Sequence, residues 1–393
     1  MTKAQRTRRA NFGSVRQLPS GRWQARYPDE SGSPMRAPRT FQTSKDAWDH
    51  VANVQADRSR GTYTDPRRGE RLLGDFAAEW IVNGGSRGQL AIRTRELYED
   101  LLHRHIEPTI GTKPIGTVSA AAVRTWYTAL GRELAARAAA PRKSGSAAPR
   151  VATGKTRQRQ AYAFLKGVMA TAERDGLIGR NPCQIRGAGQ VKSAERPLIS
   201  LTEFYRLVEA HPVDLRPVLL ATFGAHLRLG EVVGLERKDL DLTAGTLTVR
   251  AQVIFTKSAG EVRTPTKTAS IRTVDLPDFV TDALRDYLAT VPAALPSAPL
   301  FVRADGRKIT RMQIQHAWYK AREAVDLPLC HLHDLRHSGL TLSAQSGATV
   351  RELMERAGHS TASAALQYQH AARERGKQIA EGMDLAMRGI NQA

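Results

Sequence analysis

The chain has 393 residues, enough for two or three domains of ordinary size, and 59 Lys and Arg against 38 Asp and Glu leave a formal net charge of +21 and a pI near 10.5. That excess points to a polyanionic partner; a basic membrane-surface protein is the competing class, but no long basic amphipathic helix and no run of about eighteen apolar residues is present. Cys183 and Cys330 are too few and too distant for a disulfide framework, and the charged segment Met1–Arg9 carries no apolar stretch, so a cytoplasmic, nucleoid-associated protein without a secretory signal is expected.

Residues 11–66 read as a small module. Short strands are expected at Ser14–Leu18, Arg22–Tyr27 and Arg39–Phe41, separated by the turns Pro19-Ser-Gly21 and Ser31-Gly-Ser-Pro34. A helix follows from Thr43-Ser44, with Ala47, Trp48, Val51, Ala52 and Val54 apolar. The abundance of arginine makes this three-stranded sheet plus helix a candidate DNA-binding module, with Arg22, Arg26 and Arg39 reaching a groove; a merely solvated basic face is the alternative. Residues 61–69 read as a linker.

Residues 70–185 read as all-helical. Leu73, Phe76, Ala77 and Trp80 recur at helical spacing, as do Tyr98, Leu101 and Leu102, and then Val123, Trp126 and Leu130. Residues 111–116 punctuate between helices. Residues 141–153 are Ala-, Pro-, Ser- and Gly-rich and read as a loop. A helix resumes at Lys155 with Tyr162, Leu165, Met169 and Ala172 on one face, and residues 186–198 form a second linker.

Residues 199–393 are mixed. Ser200-Leu-Thr-Glu203 is a capping box opening a helix. A second helix is expected over about 215–235, then strands at 246–251 and 271–276 flanking a long basic excursion. Further helices are expected at 277–289, 310–324, 333–346, 349–357 and 361–389. The fold class is therefore multidomain and mainly α with small β elements: an N-terminal three-stranded sheet with a helix (1–66), a helical bundle (70–185) and a mixed α/β domain (199–393).

The last segment carries the chemistry. Arg228-Leu-Gly-Glu231, His333-Asp-Leu-Arg336, Gly358-His359 and Tyr368-Gln-His370 follow one another, with His359 nine residues before Tyr368. A phenol can attack phosphorus and hold it covalently, and guanidinium forks match non-bridging phosphate oxygens. Arg228 is open to two readings, a surface ion pair with Glu231 or a phosphate clamp that Glu231 orients. Cys330, His331 and His333 could be metal ligands, but no second Cys or His pair completes a site, so no metal is expected. Asp334 reads as a helix cap. No phosphate-binding Gly-rich loop or dinucleotide turn is present, and no cofactor is expected.

With these residues in this order the chain resembles the tyrosine recombinases, the phage integrase family, from about residue 70 to 380, with an N-terminal module of the arm-binding kind. The resemblance implies a core-binding helical domain over 70–185, a catalytic domain over 199–393 and an arm-type DNA-binding domain over 1–66. It assigns Arg228, Lys267, His333, Arg336, His359 and Tyr368 to catalysis. Arg228 and Arg336 would clamp the phosphorane, and Lys267 would protonate the leaving 5′ oxygen, with Lys257 its nearest rival. His333 would accept the tyrosine proton and His359 would bond a non-bridging oxygen. Glu231 and His370 would support this set, and His337 reads as structural. One departure shows: His226 stands where the family usually has glycine, two residues before the first arginine, and could narrow the space near the phosphate.

The activity implied is site-specific recombination through a 3′-phosphotyrosine link, integrating or excising a phage or mobile element. The partners implied are double-stranded attachment sites, a homotetramer on DNA, and an excision factor or host DNA-bending protein. A chromosome-resolution recombinase normally lacks the N-terminal module, and a type IB topoisomerase would act as a monomer. A non-catalytic DNA-binding regulator would not need the tyrosine.

Overall fold

The computed structural model describes residues 12–370 except 30, 62, 64, 141–153, 191–197 and 268–269, together with residue 384. The chain divides into two compact units, the first ending at residue 192.

The first unit opens with an antiparallel sheet of order β1 (Ser14–Gln17), β2 (Trp23–Pro28), β3 (Pro34–Arg36), followed by α1 (Ser44–Ser59). Strand alternation turns Ala25, Tyr27 and Met35 onto a core shared with Phe41, Ala47, Val51 and Val54. Thr43 starts the helix, its hydroxyl accepting from the Asp46 amide at 3.1 Å. The expected strand at Arg39–Phe41 is instead a single bridge between Phe41 and Trp23. The Asp29 carboxylate closes the preceding turn on the Ser31 and Ser33 amides, so pairing resumes earlier, at Pro34. Pro38, which lacks an N–H, then stands between the strand and the bridge. Trp48, expected among the apolar residues of α1, is 39% exposed. Residues 61–69, expected as a linker, run into a tight turn at Pro66–Glu70, where Arg67 pairs with Asp65 at 2.8 Å and with Asp29 at 3.3 Å.

The rest of this unit is helical. It comprises α2 (Leu73–Val82), α3 (Ile92–Leu101) with a wider π-type continuation at Leu102–Gly111, α4 (Ala120–Ala139) and α5 (Lys155–Arg174). The periodic residues meet in one core, among them Leu73, Trp80, Leu101, Trp126, Tyr162 and Leu165. Pro108, which cannot donate a helix hydrogen bond, lies inside the π-type stretch. The loop expected at 141–153 lies outside the described residues.

The second unit begins with α6 (Leu201–Glu209). Its capping box forms as expected: the Glu203 amide donates to the Ser200 hydroxyl and the Ser200 amide to the Glu203 carboxylate. The single helix expected over 215–235 is two, α7 (Arg216–Gly224) and α8 (Leu229–Gly234). The break comes at His226, whose φ of 54° is left-handed and cannot continue a right-handed helix. β4 (Leu240–Asp241), β5 (Thr246–Val249) and β8 (Arg272–Asp275) form an antiparallel sheet. The basic excursion is the hairpin of β6 (Ala251–Thr256) and β7 (Gly260–Pro265). Then come α9 (Asp278–Thr290), α10 (Arg311–Ala324), α11 (Leu332–Gln345), α12 (Val350–Ala357) and α13 (Ala362–His370). The remainder of the expected last helix lies outside the described residues apart from residue 384. The main core gathers Phe204, Phe223, Leu247, Val280 and Trp318. A smaller one joins Leu340, Ala344, Leu353, Ala357, Ala365 and Tyr368. Gly339 lets α11 lie against α7; a Cβ there would stand 2.2 Å from the Phe223 carbonyl oxygen. No helix among the described residues is long and apolar enough to cross a membrane.

Candidate active site

Glu231 is the centre of the site. It is fully buried on α8, and three guanidinium groups converge on it. Arg228, at the N-cap of α8, donates to Oε1 at 2.8 Å from its side chain and to Oε2 at 2.9 Å from its amide. Arg272, on β8, donates to both carboxylate oxygens at 3.1 and 2.7 Å. Arg336, on α11, stands 3.9 Å away. Burial pushes the Glu231 carboxyl up, but the hydrogen bonds and charge of Arg272, then of Arg228, outweigh it and hold the group at about 2. Three positive charges against one negative leave a net charge of +2 in a partly enclosed site.

Arg228 thus pairs with a buried Glu231, and its own side chain remains 22% exposed. Arg336 is buried, 1% exposed. It donates to the carbonyls of His226 and Ala357 and, at 3.2 Å, to Nε2 of His359. Burial, then the charge of Arg228, push its guanidinium down to about 9, so it stays charged at neutral pH. The His359 imidazole is pushed down to about 4 by burial and then by Arg336 and Arg228. It is neutral at pH 7, which matches Nε2 accepting from Arg336 and puts its ring proton on Nδ1.

The loop that carries His359 is anchored from several sides. Gly358 ends α12 at a φ of 60°, where glycine is at ease, and its carbonyl accepts from Arg228 at 3.2 Å. The Arg356 carbonyl accepts from Nε of Arg272 at 3.0 Å. The Arg356 side chain in turn donates to the carbonyls of Gly224 and Asp275. The ends of α7, β8 and α12 are thus tied together under the arginines.

Tyr368 is 3% exposed, its ring seated in the small core between α11, α12 and α13. The phenol oxygen lies 2.7 Å from Nδ1 of His337. The ring stacks within 12° of parallel on His359, centroids 6.1 Å apart. His333 is exposed one turn before His337, and the two imidazoles meet edge to face at 4.7 Å. His337, which the sequence suggests is structural, therefore holds the position beside the phenol that was expected of His333.

Lys267 is exposed in the turn after β7, five residues before Arg272; among the described residues, the hydrogen bonds that knit the cluster do not include it. His370 ends α13, and the support expected of its side chain lies outside the described residues. His226 packs inside the fold. Its ring is buried, with Nε2 3.1 Å from the Ser343 hydroxyl, and burial holds it down near 3 and neutral. Its backbone carbonyl takes a hydrogen bond from Arg336. Asp334 caps α11 through the His331 amide at 2.7 Å. Cys330 is buried, and its carbonyl accepts from Trp318 and Arg322. No group of three or more His, Cys, Asp or Glu converges as metal ligands among the described residues.

Two residues of the cluster, Arg272 and His337, have signals in the sequence. The alternation of Arg272, Val274 and Leu276 puts an arginine on the buried face of a strand, where it needs a carboxylate. His337 lies four residues after His333, on the same helical face.

In the first unit, Arg26 pairs across the sheet with Ser14 and Arg36, and Arg16 lies two residues along from Ser14 on the same face. The charges of Arg16 and Arg36 push the Arg26 guanidinium down, Arg16 first. Arg22 is held at the edge by Thr40, and Arg39 lies over the Phe41 ring at 5.3 Å.

The phage integrase family matches residues 199–375, and the N-terminal domain of phage integrases matches residues 11–60. A prophage phiRv2 integrase of Mycobacterium tuberculosis is 34% identical over 391 residues, 97% of each chain. In fold, the chain is similar to the Tn1549 transposon integrase in complex with a circular intermediate DNA (TM-score 0.63, 17% identity, 78% of this chain and 99% of that one). It is also similar to lambda integrase solved as a tetramer on a Holliday junction (TM-score 0.54, 14% identity, 92% and 96%). With relatedness along nearly its whole length, the chain belongs to the phage integrase family of tyrosine recombinases, enzymes that break and rejoin DNA strands.

Proposed function

We propose that this recombinase integrates or excises a phage or other mobile element, with Tyr368 attacking the scissile phosphate to give a 3′-phosphotyrosine link. The observation that carries this reading is the seating of the Tyr368 phenol between His337 and His359, beside the arginines gathered on Glu231. Arg228 and Arg336 hold the phosphate, and the net charge of +2 suits the extra negative charge of a pentacoordinate phosphorane. His359 donates to a non-bridging oxygen through Nδ1, and Lys267 protonates the departing 5′ oxygen once DNA lies over the exposed turn. The incoming 5′ hydroxyl reverses the step, so the bond energy is retained without a nucleotide cofactor.

Residues 70–185 would bind the core site and 199–393 would carry the chemistry, while residues 1–66 would bind separate arm sites through the face that carries Arg16, Arg26 and Arg36. Four protomers would act on two duplexes, as the lambda tetramer suggests, with an excision factor or a host DNA-bending protein setting direction. The match of the N-terminal integrase domain favours this reading over chromosome resolution. The test is a nicked duplex carrying the direct repeat that bounds the element in its host chromosome. Incubation should trap a covalent protein–DNA species joined through Tyr368, and a tryptic map placing DNA on another residue would overturn the assignment.

A further inference from the structure

We propose that His337, rather than His333, is the group that takes the proton from Tyr368 as it attacks; this rests on Tyr368 being the nucleophile. The geometry is direct. The phenol oxygen and Nδ1 of His337 are 2.7 Å apart, a normal hydrogen-bond length for proton transfer, and the rings are tilted by 35° with centroids 5.7 Å apart. His333 stands edge on against His337, one turn earlier on α11.

The surroundings favour a fixed acceptor. His337 sits on α11 next to Arg336, and α11 packs against both α12 and α13, so nucleophile, acceptor and phosphate clamp share one rigid corner. Tyr368 comes from α13 and His359 from the end of α12, and Arg228 faces the same space from the N-cap of α8. His337 meets the His333 ring edge to face on one side and the Tyr368 ring on the other, and Tyr368 in turn stacks on His359. His359 is occupied as an acceptor for Arg336 and cannot also serve the phenol through Nε2.

The step balances without a further reactant. With the ring proton of His337 on Nε2, Nδ1 takes the phenol proton as the phenol oxygen bonds to phosphorus. The bond from phosphorus to the 5′ oxygen breaks, and that oxygen takes a proton from the general acid, for which Lys267 is the candidate. In the return step the imidazolium gives its proton back to the phenol oxygen.

The experiment measures single-turnover adduct formation by the full chain on the nicked direct-repeat duplex. Position 368 carries either tyrosine or difluorotyrosine, whose phenol is more acidic, and His337→Ala, His337→Asn and His333→Ala are compared. Gel shifts and thermal melts show that each variant folds and binds. The expected result is that His337→Ala and His337→Asn both slow adduct formation by about 10²-fold or more with tyrosine. With difluorotyrosine most of that loss should vanish, because a more acidic phenol needs less help. Asparagine can hold the hydrogen bond but cannot carry the proton. Full activity in His337→Asn, an equal loss with both phenols, or a phenol-dependent loss in His333→Ala instead would overturn the proposal. Absence of any adduct from the unaltered chain would sink the tyrosine-nucleophile reading itself, a separate outcome.

Discussion

Arg272 grips Glu231 across forty-one residues of chain, Nη1 on Oε1 at 3.1 Å and Nη2 on Oε2 at 2.7 Å. Its Nε also holds the Arg356 carbonyl at 3.0 Å, so one side chain joins the strand after the Lys267 turn, the carboxylate that orients Arg228, and the loop that carries His359. A bidentate fork explains why arginine stands here: lysine could neutralise Glu231 but could not fix both oxygens.

That pair has a measurable pH signature. The Glu231 carboxyl lies at about 2 in the fold, against an ordinary 4.5, so the stability it contributes is present above about 4.5 and is lost as pH falls through about 2. Glu231→Gln leaves buried guanidinium groups without a counter-charge and should cost about 3–5 kcal/mol at neutral pH. Thermal melts of both proteins across pH should show the gap narrowing toward acid. A gap of the same size at pH 7 and pH 3 would contradict this account of Glu231.

Tyr368→Phe should leave the small core of α11, α12 and α13 filled and lose the phenol hydrogen bond to His337, about 0.5–1.5 kcal/mol. DNA binding should survive in gel shifts, while covalent adduct on the nicked duplex should be abolished. Adduct of undiminished yield would remove Tyr368 from its role.

Lys267→Ala should slow cleavage of ordinary DNA by about 10²-fold or more if Lys267 is the general acid. A 5′-bridging phosphorothiolate has a sulfur leaving group that needs little protonation, so its cleavage should be largely restored. Equal impairment on both substrates would point to phosphate positioning, and Lys257 would become the candidate acid.

For the N-terminal module, replacing Arg16, Arg26 and Arg36 together with glutamine should weaken binding to arm-type DNA. It should also flatten the dependence of log K on log salt by about 0.9 for each phosphate contact removed. A protein beginning near Arg68 should still cleave a core suicide substrate but lose arm binding. If the fragment 1–66 shows no preference for attachment-site DNA over scrambled DNA, and the shortened protein integrates as well as the whole, the arm-binding role fails.

The elements most legible in the sequence are those with a local cause. The capping box at Ser200 forms where the spacing puts a hydroxyl and a side-chain acceptor three residues apart. The alternation around Thr246 and Arg272 makes strands, and the periodic Leu, Phe and Trp of residues 73–80 make a buried helix face. Where local signals compete, the reading slips by an element. Helical propensity runs through 215–235, yet the chain turns left-handed at His226, where its carbonyl serves Arg336 from 110 residues away. No window around His226 contains that partner.

The same distinction divides the site. The order of Arg228, Lys267, His333, Arg336, His359 and Tyr368 is a property of the chain, and it carries the resemblance to the tyrosine recombinases that implies phosphoryl transfer through tyrosine. Which histidine touches the phenol depends on how α13 packs against α11, a contact between faces rather than neighbours in sequence. That Glu231 needs two arginines, and that the second is Arg272, follows from burial: a carboxylate removed from water must be paired within a few ångströms, and only the folded chain determines which cations come that near.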